Sequence, residues 1–518
     1  MQENAGLRLL KKGQKGLLRS IFGRTGLVLV LLAIKVLYLL AIFLWFEDYL
    51  LHFTGIHFLI STVMVLYLFN TRLDPMAKLT WLLIMLPMPI FGGLLFLFTQ
   101  SELGLKTMKR RLRQLDAAGK NAIKQDEALF AELSKTCPGA AAMARYVASS
   151  GCYPVFSCSE AAYFPLGEDM FEKLLTELEQ AKTYIYLEYF IINEGLMWGK
   201  ILEILAQKAR AGVDVRVMYD GTCELALLPK GYAKKLQALG IRCKVFSPVT
   251  PFLSTHYNYR DHRKILVIDG HTAFTGGINL SDEYINRGSR FGHWKDTAVM
   301  VRGEAARSFT RMFLQLWNLT EKVPTPLPEP SAHAAGKGFV LPYADSPLDG
   351  EKVGKRVYID LLNRARCHIR IMTPYLILDA ELENTLCYAA KRGVEVSLVL
   401  PGIPDKRIPY ALAKSHYPAL LAAGVKIFEY TPGFVHAKVF SMDSKEAVVG
   451  TINLDYRSLY HHFECALWMR ETDCICDIDA DFAATLQKCR AVTLATVKKE
   501  KWRVRAAGFI MKLIAPLL

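Results

Sequence analysis

The chain has 518 residues, 52% of them apolar, and 64 Lys and Arg against 49 Asp and Glu give it a formal charge of +15. That length allows a large core and more than one domain, and the positive balance suits an anionic partner, either nucleic acid or an anionic lipid surface. Eleven scattered cysteines, odd in number, exclude a disulfide framework; Cys474 and Cys476 are wrongly spaced for a zinc knuckle, so reduced thiols and no structural metal are expected.

The apolar excess lies in the first hundred residues. Residues 26–46, apolar except for Lys35, are long enough to cross a bilayer, which takes about 20 helical residues. Residues 53–69 form a second, slightly short run, and 81–98 a third, kinked by Pro87 and Pro89 and loosened by Gly92 and Gly93. A signal peptide is the simpler alternative for the first run, but Glu47, Asp48 and more apolar sequence follow it, with no small-residue cleavage site. Arg8, Lys11, Lys12, Lys15, Arg19 and Arg24 argue for a cytoplasmic N-terminus, and Lys106, Lys109, Arg110, Arg111 and Arg113 for a cytoplasmic main domain. Three full crossings do not satisfy both. Either one run is re-entrant or interfacial, with Lys35 pointing to the first, or the N-terminus lies outside. The expectation is a multi-pass membrane region over 1–100 with a catalytic domain on the cytoplasmic face.

A basic, helix-prone linker occupies 101–135. In a first half, 140–322, strands are expected at 183–192, 213–219 and 242–246, with helices at 199–211 and 231–239 between them. A second half, 339–495, repeats the order: strands at 368–372, 394–400 and 425–430, helices at 382–391 and 410–423. A Pro-rich and then small-residue linker, 323–338, separates the halves. Over 496–518, Lys498, Lys499, Lys501, Arg503 and Arg505 precede the apolar stretch from Phe509 to Ile514, a basic amphipathic helix suited equally to a membrane surface and to docking on the domain. Strand–helix alternation implies an α/β fold with mainly parallel sheets.

Each half carries one copy of His-x-Lys-x4-Asp: His262, Lys264 and Asp269, then His436, Lys438 and Asp443. Each is followed by a Gly-rich turn and an Asn, Gly276-Gly277-Ile278-Asn279 and Gly450-Thr451-Ile452-Asn453. His and Lys two apart on a strand project from one face. Two histidines can serve as nucleophile and proton donor for phosphodiester cleavage, while two lysines, two asparagines and the turn residues Gly277 and Thr451 hold the phosphate. Asp269 and Asp443 belong to the catalytic motif as turn or ion-pair residues with an indirect role. A neutral imidazole needs its second nitrogen fixed, usually by a carboxylate. Glu464 is assigned to His436 and Asp296 to His262 for that purpose. Glu188, Tyr189 and Tyr375, at strand ends, would rim the site. His461-His462 reads as a surface pair.

These paired motifs resemble the phospholipase D superfamily and, within it, the bacterial cardiolipin synthases. The closer match rests on Trp81 with Pro87, Gly92 and Gly93 in the third apolar run, Tyr186-Leu187-Glu188-Tyr189-Phe190, Asn258 to Lys264, Phe274 to Asn279, Trp294 to Thr297, Thr373-Pro374-Tyr375, Gly450 to Ser458 and the terminal Ala515-Pro516-Leu517-Leu518. The resemblance spans roughly 53–518. It implies two pseudo-symmetric α/β halves forming one active site behind N-terminal transmembrane helices, in a bacterial inner membrane. It further implies phosphatidyl transfer from one phosphatidylglycerol to another through a phosphatidyl-histidine, giving cardiolipin and glycerol, with no cofactor and no metal. The resemblance favours His262 as the nucleophile and His436 as the acid and base, and the near symmetry of the halves leaves the reverse assignment open. The implied partners are phosphatidylglycerol, cardiolipin and the lipid bilayer, and no nucleic acid. The alternatives are a phospholipase D that hydrolyses to phosphatidic acid, a nuclease and a non-catalytic lipid-binding scaffold.

Overall fold

A computed structural model of the chain describes residues 50–71, 73–86, 89–100, 105–120, 122–158, 160–248, 259–288, 290–329 and 337–517. They form two compact units, 107–248 with 259–512, and 50–106 with 513–517.

In the larger unit, the first half folds into a seven-stranded sheet of β1 (Glu160–Phe164), β2 (Tyr184–Tyr189), β3 (Asp214–Asp220), β4 (Arg242–Phe246), β5 (Lys264–Ile268), β6 (Thr272–Gly276) and β7 (Ala298–Arg302). Their spatial order is β1-β7-β6-β5-β2-β3-β4. The second half is built on β8 (Phe339–Asp345), β9 (His368–Met372), β10 (Glu395–Pro401), β11 (Lys426–Tyr430), β12 (Val439–Met442), β13 (Glu446–Gly450), β14 (His462–Arg470) and β15 (Cys489–Val492). Its order, β8-β14-β13-β12-β9-β10-β11-β15, repeats the first sheet strand for strand through β11. Every residue of β2 and β5, and of β12, the counterpart of β5, is buried. Apolar runs of this kind suit central strands covered on both faces.

The sheets are mixed where mainly parallel ones were expected. β2-β3-β4 and β9-β10-β11 are parallel, and the other neighbours along both orders are antiparallel. Connection length explains the difference. The parallel strands are joined by crossover helices such as Leu196–Arg210 and Ala380–Lys391. Only three residues join β5 to β6 and β12 to β13, enough for a hairpin and far too few for a crossover. The aspartates at those turns have φ of +52°, and all eleven cysteines are free.

The basic C-terminal segment divides into Leu494–Lys498 and Trp502–Lys512. The second helix docks on Arg407–Ala422, where a Cβ on Gly508 would stand 2.4 Å from the Ala411 carbonyl oxygen. Trp502, Phe509 and Ile510 stay exposed on its outer side.

In the smaller unit, α1 (Leu50–Phe69), α2 (Pro75–Met85) and α3 (Pro89–Gln100) pack around Leu68, Trp81, Met85 and Phe96. The rings of Trp81 and Phe96 meet edge to face at 5.1 Å. The third apolar run is therefore divided between α2 and α3, because Pro89 opens a new helix. Phe58, Leu59, Val63, Leu66, Leu83 and Leu94 point outward. Among the described residues no helix is long and apolar enough to cross a membrane, and the run 26–46 lies outside those residues.

Candidate active site

Two short parallel pairings join the halves and build the site. Arg260–Asp261, just before the first motif histidine, pairs with His462-Phe463 at the start of β14. Gly433–Val435, just before the second, pairs with His293–Lys295. The His262 N–H donates to the Phe463 carbonyl at 3.0 Å and the His436 N–H to the Lys295 carbonyl at 2.7 Å. Each motif histidine thus leaves its strand beside the segment that carries an acid of the other half.

That geometry corrects the assignment of the orienting acids. Nδ1 of His262 lies 2.9 and 3.0 Å from the two Glu464 oxygens, and Nδ1 of His436 lies 2.6 Å from Asp296 Oδ2. The pairing is crossed: Glu464 serves the first motif and Asp296 the second. Proximity in sequence suggested the reverse, but the inter-half strand pairing brings each acid to the opposite histidine. A carboxylate on Nδ1 holds the proton there and leaves Nε2 with its lone pair.

All six groups are buried. His262 and His436 are 6% and 7% exposed, and Lys264, Lys438, Asp296 and Glu464 at most 1%. Burial pushes His262 down to about 3 against the pull of Glu464, and pushes His436 down to about 4. It also lowers Lys264 to about 8 and Lys438 to about 7, the Lys264 charge adding to the effect at Lys438. Burial alone would raise both acids, yet His262 holds Glu464, and His436 with Lys438 hold Asp296, below the ordinary carboxylate range. The Lys264 ammonium donates to the His262 carbonyl at 2.6 Å, and the Lys438 ammonium to the His436 carbonyl. The Lys264 ammonium keeps two donors for a phosphate oxygen, while that of Lys438, which also stands 2.8 Å from His436 Nδ1, keeps one.

Several expected site residues have other tasks. Asp269 lies at the far end of β5, and its carboxylate accepts from the N–H groups of Lys182, Thr183 and Tyr184 at 2.7 to 2.9 Å. Asp443 accepts from those of Arg366, Cys367 and His368, each at 2.8 Å. Both tie a turn to the neighbouring strand and touch no motif histidine, so neither belongs in the catalytic set. Gly277 and Thr451 are not phosphate donors: their N–H groups bond the carbonyls of Thr297 and Cys465, each at 2.9 Å. They support the acids instead. A Cβ on Gly277 would lie 2.0 Å from Asp296 Oδ1, and the Thr451 hydroxyl donates to Glu464.

Asn279 and Asn453 are both buried, and they differ. The Asn279 amide bonds the Ile191 N–H at 3.0 Å and the Tyr284 hydroxyl at 2.7 Å, leaving one of its hydrogens. The Asn453 carbonyl oxygen has no partner among the described residues. Glu188 and Tyr189 differ in placement: Tyr189 stands opposite Lys264 in the antiparallel pairing of β2 with β5, and Glu188 opposite Ile265. They lie in the central strand β2, fully covered, where Glu188 pairs with Arg263 at 2.6 Å. Tyr375 is half-buried and donates to Asp405 at 2.6 Å. Its ring packs 6.3 Å from Phe434, which stands 5.9 Å from the His436 ring.

His462 is not a surface residue. It is 8% exposed, with its ring 5.3 Å from that of His262 and its Nδ1 3.7 Å from Glu464. The signal was available: His462 and Glu464 are two apart on one strand and so share a face.

The family described as cardiolipin synthase, PLD-like domain matches residues 174–317 and 358–486. The chain is 54% identical over 457 residues to an uncharacterized protein of Streptococcus mutans, covering 88% of this chain and 99% of that one. It is 34% identical over 449 residues to a cardiolipin synthase of Geobacillus kaustophilus, covering 86% of this chain and 89% of the relative. Among solved structures, the phosphatidylserine synthase of Haemophilus influenzae superposes with a TM-score of 0.56 at 13% identity, covering 73% of this chain and all of that one. That last likeness concerns the fold.

Proposed function

This chain belongs to the phospholipase D-like family of cardiolipin synthases, and from that premise we propose that it is a phosphatidyltransferase joining two phosphatidylglycerols into cardiolipin and glycerol. The observation that supports this most is the pair of crossed His–carboxylate contacts, two oriented imidazoles in one buried site with two lysines.

In the first step, His262 Nε2 attacks the phosphorus of one phosphatidylglycerol, a P–N bond forms, and the bond from phosphorus to the glycerol oxygen breaks. His436 gives that oxygen its proton. In the second step, neutral His436 takes the proton of a hydroxyl on another phosphatidylglycerol; the new P–O bond forms as the P–N bond breaks. Lys264 and Lys438 balance the charge of the non-bridging oxygens. A diester anion entering the site also raises the pKa of the imidazole that must hold a proton, so substrate binding charges the acid.

The outward apolar side chains of α1 to α3 and the basic segment after them support a protein seated at the bacterial inner membrane with its catalytic unit on the cytoplasmic side. Purified protein with glycerol-labelled phosphatidylglycerol in vesicles tests the reaction. Cardiolipin and free labelled glycerol are expected, in equal amounts. Phosphatidic acid as the main product, with no cardiolipin, would replace the transferase by a hydrolase.

A further inference from the structure

His462 has a second, unexplained property. Neither of its ring nitrogens meets a hydrogen-bond partner among the described residues, although the side chain is 8% exposed. A buried imidazole in that state needs a partner of some kind. Beside it stands Glu464, whose Oε1 is 3.7 Å from His462 Nδ1 and 2.9 Å from His262 Nδ1. One donor atom from each of His262, His462 and Glu464 can be chosen so that all three lie within 4.8 Å of one another. Phe190 covers this group on one side, its ring 4.9 Å from His262 and 6.4 Å from His462.

Two imidazoles and a carboxylate are a zinc-type ligand set with a fourth position left open. Two donors about 2.1 Å from one tetrahedral ion stand about 3.4 Å apart. The two separations from Glu464 fall on either side of that distance, and the one between the imidazoles, within 4.8 Å, is what ring rotation has to close. The counterpart of His462 in the first half is Trp294, two residues before Asp296, and it offers no ligand atom. The feature therefore belongs to one histidine alone.

We propose that His262, His462 and Glu464 form a binding site for a divalent transition ion of the zinc class, and that the ion switches the enzyme off. The inhibition, unlike the binding, rests on the function proposed above. An ion on Nδ1 of His262 takes the lone pair at that nitrogen, and the proton that Nδ1 carried moves to Nε2. The ring stays neutral and no proton is lost. Nε2 then has no lone pair for phosphorus, and the nucleophile is silent. The nearby Lys264 charge opposes the ion, which sets the affinity for a reversible regulator and below that of a structural zinc site.

The test uses the full chain in detergent, freed of any histidine tag. Zn2+ should bind one per chain and raise the unfolding temperature, and Co2+ should give the visible absorption of a tetrahedral site. His462→Asn should weaken both by at least about tenfold, and His462→Trp, which copies the first half, should do the same. In vesicles, Zn2+ should inhibit the parent reversibly by chelator, with about tenfold more needed for either variant. Equal Zn2+ affinity in the parent and in folded variants would overturn the site, as would a parent without the Co2+ absorption. Co2+ bound through His462 in a chain that turns over no lipid would uphold the site and remove the proposed function.

Discussion

In the first half a glycine, Gly277, stands against a short acid, Asp296; at the matching places of the second half, Thr451 donates a hydrogen bond to a longer one, Glu464. Register fixes the equivalence. Ala298 faces Gly276 and Ala466 faces Gly450, and each acid lies two residues before its alanine. Asp has one methylene fewer than Glu, so the first half brings the backbone closer and tolerates no Cβ at 277. The second half fills that space with a threonine that fixes the longer carboxylate. Both solutions serve the histidine of the other half. Each half alone holds an acid with no motif histidine to orient, and the comparison makes the site a product of exchange between the halves.

The hardest blow to that exchange is loss of an imidazole. His262→Ala and His436→Ala should each lower turnover by on the order of 10^4-fold, because the two rings act as a unit. Chemical trapping separates their roles. Labelled phosphatidyl groups should remain on the His436→Ala protein after denaturation, and none on His262→Ala. The reverse pattern would exchange nucleophile and acid.

Next in size are the acids, and here the crossing is exposed directly. Glu464→Gln and Asp296→Asn should each cost about 10^2- to 10^3-fold in turnover with normal folding. They should do so at different steps. Glu464→Gln slows loading of His262, so little phosphatidyl-enzyme is seen. Asp296→Asn disables His436 and allows the loaded enzyme to accumulate. If accumulation followed Glu464→Gln instead, each acid would act on the histidine of its own half, and the crossed pairing would have no catalytic meaning.

The sequence carried the repeat, the strands and the two motifs well, because a strand–helix period and a continuous apolar run are local patterns. The strand expected at 368–372 appears at His368–Met372, and that at 242–246 at Arg242–Phe246. It carried the acids as residue types: a carboxyl in Phe463-Glu464-Cys465-Ala466 needs a partner wherever it sits. It did not carry their pairing, which depends on two inter-half strand contacts of two and three residues. It carried Asp269 and Asp443 as turn residues but kept them in the catalytic motif, since a motif's spacing does not say which end of a strand faces the substrate. The N-terminal run at 26–46 lies outside the described residues.

Asp269 and Asp443 test the opposite limit, where the halves are alike. Each anchors the neighbouring strand through three backbone N–H groups. Asp269→Ala and Asp443→Ala should each destabilise the fold by about 1–3 kcal/mol, measured by denaturant unfolding of the larger unit in the full chain. Turnover per folded molecule should stay within about threefold of the parent. A larger loss in one of them would return that aspartate to the chemistry and break the likeness.

The smallest expected effect marks a place where the halves differ in their response to pH. Asp345 ends β8 beside Glu464, and burial raises it to about 7, with Lys352 pulling the other way. The equivalent strand β1 ends in Phe164. One Asp345 oxygen accepts from the Gly354 N–H at 2.9 Å, and the other has no partner among the described residues, a state that suits the protonated acid. The folded pKa lies above the unfolded one. The contribution to stability is therefore complete below about pH 4 and lost as pH rises through about 7. Asp345→Asn keeps the acceptor for Gly354 and removes the titration. The unfolding temperature of the parent should fall between about pH 5 and about pH 7.5, and that of Asp345→Asn should fall less. An unchanged slope would mean that other buried acids govern the response, with Asp220 of the first half, raised to about 6, the next to replace.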